Sequence, residues 1–162
     1  MSNFINTIDQ LGDDVVLKSL IDRSITEFKD NVLTTNLKSY AFGYCTNLKE
    51  VRLPKVTGNV DGYAFSYCTN LETVEFCENV TFTYGVFTGA NNMKALILRS
   101  NQICKDISGS KLTGTCYIYV PSSLVESYKT ASYWKSHASY IRALEDYTVD
   151  GTTTGELDPT KI

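Results

Sequence analysis

The chain has 162 residues, 43% hydrophobic and 20% charged, which fits one globular unit and excludes a disordered polar tail. Fifteen Lys and Arg against 18 Asp and Glu leave a net charge of −3, arguing against non-specific nucleic-acid or anionic-membrane binding, both of which depend on a basic face. One His, and five cysteines with no CxxC pair, exclude His-rich metal sites, zinc ribbons and thioredoxin-like chemistry; no cofactor or metal is expected.

The N-terminus, Met1 to Asp9, lacks the basic start and unbroken apolar run of a Sec signal peptide. No apolar stretch approaches the ~20 residues of a membrane span. Synthesis in the cytoplasm without membrane insertion is therefore expected. Residues 6–23 carry Ile8, Leu11, Val15, Val16, Leu17, Leu20 and Ile21, mostly at helical spacing, with Asp13 and Asp14 early, where acids favour a helix start. This predicts an N-terminal helical cap over residues 1–24, with a helix of about 8–10 residues within 12–22.

The next segment repeats itself. Tyr40-Ala-Phe-Gly-Tyr-Cys-Thr-Asn-Leu48 recurs as Tyr63-Ala-Phe-Ser-Tyr-Cys-Thr-Asn-Leu71, 23 residues on. A weaker copy follows 22 residues later through Val86, Phe87, Ala90, Asn92 and Met93. The columns are Phe42/Phe65/Phe87, Leu48/Leu71/Met93, Val51/Val74/Leu96 and Leu53/Phe76/Leu98, and the next step reaches Ile118 and Val120. Ile25 and Phe28 suit an irregular opening coil. A fixed period this short means a solenoid, because one coil cannot bury its own apolar side and stacked neighbours share a core. The fold expected over 25–121 is an α/β repeat solenoid of about four 22–23-residue coils with one parallel sheet. The Phe column would form an internal ladder, and Asn47, Asn70 and Asn92 would satisfy turn backbone groups.

Beyond Pro121, Ser123 and Glu126 are spaced as a capping box, with a helix expected through Thr130. Trp134, Tyr140 and Ile141 suggest a second helix, completing a C-terminal helical cap over 122–147. Asp150-Gly151 between β-formers predicts a hairpin or extended arm over 148–162, the alternative being a mobile tail that orders only on assembly.

The string Ala-Phe-x-x-Cys-x-x-Leu-x-x-Val-x-Leu-Pro at 41–54 resembles the BspA-type leucine-rich repeat. The second copy has Cys77 for Pro, and the third has Val86 for Ala and Ala90 for Cys. Tyr117-Ile-Tyr-Val-Pro121 with Leu124, Tyr128-Lys129 and Trp134 is similar to the closing cap of short family members in prophages and gut-bacterial genomes. The resemblance implies adhesion and protein–protein contact rather than catalysis. It implies a phage or prophage virion structural or attachment protein, located in the virion and fibre-like, tail-associated or decorating. The partners implied are other virion or surface proteins or a host-surface receptor or glycan, with a homo-oligomer also compatible. The alternative is a bacterial cell-surface adhesion module.

Two surfaces are candidates for recognition. Strand alternation puts Glu50, Thr73, Ala95 and Tyr117 in one outward row and Arg52, Glu75, Ile97 and Tyr119 in the next, with Arg52 and Glu75 as cross-strand neighbours. Both rows turn apolar toward the C-terminal coils. That patch is either an exposed binding face or the seat of the C-terminal cap or tail. Tyr40, Tyr44, Tyr63 and Tyr67 flank the Phe column and would line an outer edge, suited to sugar or protein contact, or else serve as half-buried packing. Charge is uneven: residues 1–30 net −3, 145–162 net −4 and 31–144 net +4. This would either guide oligomer contacts or keep rods from stacking. No phosphate-binding loop, dinucleotide fingerprint, HExxH or GxSxG is present. The lone His137 has no nucleophile in a recognisable motif beside it, and the cysteines read as buried thiols. No catalytic residue is expected.

Overall fold

A computed structural model describes residues 16–17, 23–29, 35–149 and 152–153. Each coil supplies two short strands, so the solenoid has two parallel sheets where one was expected.

The larger sheet stacks β2 (Glu27–Lys29), β4 (Glu50–Leu53), β6 (Thr73–Phe76), β8 (Ala95–Leu98) and β10 (Tyr117–Val120) in order. Its register is the one the repeat columns dictate: Val51 beside Val74, Val74 beside Leu96, Leu96 beside Ile118. One further strand, β11 (Ile141–Ala143), joins β10 with Ile118 beside Ile141. The smaller sheet stacks β1 (Val16–Leu17), β3 (Asn36–Leu37), β5 (Gly58–Val60), β7 (Val80–Phe82) and β9 (Lys105–Asp106). These strands are two or three residues long and include Gly58, Asn59, Lys105 and Asp106, poor strand formers that give little period-two signal. The inward column Leu37, Val60 and Phe82, fully buried, holds them in place.

The core lies between the sheets. Phe42, Phe65 and Phe87 form the expected ladder, with centroids 5.2 and 5.6 Å apart and rings within 9° of parallel. The turns leading into the larger sheet are themselves laddered. The amides of Phe42 and Tyr44 donate to the carbonyls of Ala64 and Ser66 one coil on, and those of Phe65 and Tyr67 donate to Val86 and Thr88. Asn70 and Asn92 donate their side-chain amides to the carbonyls of Thr46 and Thr69, at 2.8 and 2.6 Å. The asparagine column therefore does structural work, tying each turn to the one before it.

The ends depart from expectation. Val16–Leu17 pairs with Asn36–Leu37 as a strand, so these residues are not part of a helix. Pairing into the smaller sheet overrides the helical spacing, and the β-branched Val16 suits it. The rest of that segment, 1–15 and 18–22, lies outside the described residues.

At the other end α1 (Val125–Thr130) stops at Thr130 as the pattern predicts, but Ser123 makes no capping hydrogen bond. A 3-10 turn, Ser122–Leu124, feeds the helix, so Leu124 is the N-cap, and Glu126 pairs with Lys129 at 3.6 Å instead. The expected second helix is a 3-10 segment, Lys135–Tyr140, and Ile141 belongs to β11. The β-branched Ile141 extends the column of Ile118, and pairing onto the open edge of β10 outcompetes further helix. β12 (Thr148–Val149) pairs antiparallel with β13 (Thr152–Thr153), the two strands flanking the Asp150-Gly151 turn signal.

Cap and solenoid lock through one backbone position. The Tyr128 hydroxyl accepts from the Cys104 amide at 2.8 Å, and the Trp134 indole donates to the Cys104 carbonyl at 2.6 Å. Both rings are fully buried, and Trp134 meets Phe82 edge-on at 6.0 Å.

Candidate functional site

The outward face of the larger sheet has the two predicted rows. Glu50, Thr73, Ala95 and Tyr117 are register partners, as are Arg52, Glu75, Ile97 and Tyr119. This face is covered. After β11 the chain turns back across it, so that Leu144 packs on Ala95 and Ile97 and Tyr147 packs against Tyr119 at 5.0 Å while hydrogen-bonding Thr73. Ala95, Ile97, Arg52 and Glu75 are buried, Glu50, Thr73 and Tyr119 half-buried, and Tyr117 stays exposed. Arg52 pairs with Glu75 at 3.0 Å, and Arg99 reaches the other oxygen of the same carboxylate at 3.2 Å. Arg99 lies one residue past β8, where strand alternation no longer predicts direction. Residues 144–147 form a strap over this face, and burial raises the phenols of Tyr119 beneath it and Tyr147 within it.

The tyrosine edge is different. Tyr40, Tyr44, Tyr63 and Tyr67 all sit at positive φ, between 55° and 62°, a conformation bulky residues rarely adopt. That twist throws each ring out of the turn and stacks it on the equivalent ring of the next coil. Tyr40 lies on Tyr63 at 5.3 Å and 9°, and Tyr44 on Tyr67 at 5.1 Å and 19°. In the third coil the same two columns hold Gly85 (φ 68°) and Gly89 (φ 76°). A Cβ there would lie 2.9 Å from the Tyr63 ring and 2.5 Å from the Tyr67 ring. The glycines thus let the two stacks rest directly on backbone. Tyr84 meets Tyr63 edge-on at 5.9 Å, and the Lys111 ammonium lies 5.5 Å over the Tyr84 ring. Exposure reaches 58% at Tyr44 and 44% at Tyr67, while Tyr63 is half-buried. Desolvation raises the Tyr63 phenol, and the phenols of Tyr84, Tyr40 and Tyr67 push it the same way.

The repeat columns did not include Tyr84 or Lys111. Tyr84 falls one place before the aligned Gly85, and Lys111 follows a loop whose spacing has slipped. The mixture of Tyr and Gly in two columns was the available signal, since it marks a backbone position at positive φ.

A depression of about 290 Å³ is lined by residues 106–112, Tyr133, Ser136 and His137. Asp106 uses its carboxylate to hold this loop, accepting from the Gly109 and Ser110 amides and, at 2.6 Å, from the Ser110 hydroxyl. The Ser110 hydroxyl therefore serves Asp106 rather than His137, whose pKa burial lowers. Among the described residues no three His, Cys, Asp or Glu side chains gather as a metal site, and no helix is long and apolar enough to cross a membrane.

A family model for the BspA type leucine rich repeat region matches residues 19–136 in six copies. The chain belongs to the BspA-type leucine-rich repeat family. No curated protein matches it. In this BspA-type chain the matched span includes the whole tyrosine edge and ends before β11, so the strap over the sheet face lies beyond the repeats. Such repeats serve as protein–protein or surface interaction modules.

Proposed function

We propose that the protein is a non-enzymatic interaction module that binds a partner protein through the tyrosine edge. The carrying observation is the set of four stacked tyrosines held at positive φ, of which Tyr40, Tyr44 and Tyr67 are exposed. The turn needs no ring there, since Gly85 and Gly89 make the same turn in the third coil. Strained positions that present side chains to solvent are the ones to attribute to binding, and exposed tyrosines are favoured interface anchors. The sheet face is the weaker site because residues 144–147 lie over it. The setting we propose is a phage or prophage virion, on the likeness of the closing cap; the bacterial cell surface is the other setting for the same repeat.

Photo-crosslinking tests the binding surface. A photoreactive residue replaces Thr46, which is exposed beside Tyr44, or Glu145, which is exposed on the strap. In the cells or virions that contain the protein, the Thr46 probe should form a defined protein adduct and the Glu145 probe should not. Adducts from Glu145 alone would move the site to the strap.

A further inference from the structure

We propose that protonation of His137 opens the loop 107–112 and thereby loosens the tyrosine edge, so that the partner is held at neutral pH and released in acid. This rests on the edge being the binding surface. His137 is the chain's one histidine. It lies in the closing cap, on the 3-10 segment Lys135–Tyr140, and faces the same depression as Asp106 and the loop. Its Nδ1 is buried without a hydrogen-bond partner, and its ring meets Trp134 edge-on at 6.2 Å. Protonation makes both ring nitrogens donors, so an imidazolium here would bury a charge and a bare N–H together.

Asp106 is the carboxylate that relieves that cost. Burial lowers the His137 pKa, and the Asp106 charge, which favours the imidazolium, offsets only part of the effect. Asp106 is already committed, however, to the Gly109 and Ser110 amides and the Ser110 hydroxyl. The other charged and titratable groups around the cap are engaged or solvated. Lys105 and Lys135 are exposed, and Tyr133 lines the depression. On α1, Glu126 pairs with Lys129 and the Tyr128 hydroxyl holds the Cys104 amide. On β11, Arg142 lies over the Tyr117 ring. An imidazolium therefore gains its counter-charge by drawing Asp106 away from the loop.

The loop is also the last rung beneath the tyrosine edge. The carbonyls of Gly109 and Ser110 accept from the amides of Gly85 and Phe87, both at 2.8 Å. The Tyr63 ring rests on Gly85, and Lys111 holds the Tyr84 ring. Loss of the Asp106 bonds frees the loop, then the third turn, then the Tyr63 stack. The direction is fixed by the histidine. Its folded pKa lies below its ordinary value, so its contribution to stability is present at neutral pH and is lost as the pH falls through and below the histidine range.

Hydrogen exchange on the full chain at about pH 7.5 and about pH 5, corrected for intrinsic rates, tests the proposal. In acid the Gly85 and Phe87 amides should lose protection at least about tenfold, while the Phe42 and Tyr44 amides of the first turn keep theirs. His137→Gln should abolish the loss. Asp106→Asn, which leaves the histidine in place, should reproduce it at neutral pH. Unchanged protection of Gly85 and Phe87 in acid, an equal loss in His137→Gln, or full protection in Asp106→Asn overturns the proposal. The Thr46 photo-adduct reads the partner: its yield should fall several-fold in acid for the parent and stay constant for His137→Gln. Yields that fall alike in both overturn the coupling. No Thr46 adduct at either pH would overturn the binding surface, and partner release with it, while exchange at Gly85 still decides the opening of the loop.

Discussion

A tyrosine at φ near +60° costs on the order of 1 kcal/mol relative to glycine. A stacked aromatic pair returns roughly 0.5–1.5 kcal/mol. Each pair holds two such residues, so about 2 kcal/mol of strain is offset by the stack together with the apolar area it buries, and the tyrosines of the edge contribute little net stability. The glycines beneath them have no such latitude. At Gly89 a methyl group would enter the Tyr67 ring at 2.5 Å and occupy a backbone with φ 76°. Gly89→Ala should therefore lower stability by about 1–3 kcal/mol, read as a shift in urea midpoint at unchanged slope. The thiols test packing at the same scale. Burial pushes Cys68 and Cys116 up to about 12 and the half-buried Cys77 to about 11. At pH 8 Cys77 is then about one part in a thousand thiolate, the reactive form. A disulfide reagent should label the native protein slowly and all five cysteines promptly in denaturant; fast native labelling of Cys68 or Cys116 would contradict the packing.

Among the elements, the closing cap depends most on single contacts. Tyr128 and Trp134 satisfy both backbone groups of Cys104, a buried residue beside β9, whose short pairing gives it little strength of its own. Tyr128→Phe leaves the Cys104 amide without its acceptor and should cost about 1–3 kcal/mol. Hydrogen exchange should show the Cys104 amide losing protection first. Equal protection in both proteins would mean the cap is held by packing alone. The cap's start at Pro121 and the stop of α1 at Thr130 were legible in the sequence, because proline and local spacing act over a few residues. β11 was not, since Ile141 becomes a strand only through the open edge of β10. The smaller sheet was missed for a related reason: strands of two or three residues have too few positions to show alternation, and coil stacking, not propensity, makes them extended.

Over the whole molecule the repeat register was readable from β2 to β10 of the larger sheet, where every inward position is apolar and a slip of one residue would expose the core. The fate of the outward rows was not readable. Ala95, Ile97, Tyr117 and Tyr119 look alike as letters, yet the first two lie under Leu144 and Tyr117 remains exposed. Only the return of the strap decides between them, and nothing local encodes it. The tyrosine edge was legible as a column but not as a strained one, although Gly85 and Gly89 in the same columns carried that information.

One double variant separates binding from folding at the tyrosine edge. Tyr44→Gly with Tyr67→Gly should melt within a few degrees of the parent, a change of about 1 kcal/mol or less, while its Thr46 photo-adduct yield falls at least about tenfold. A variant that loses its fold, or one that keeps both its melting point and its adduct, would contradict the account.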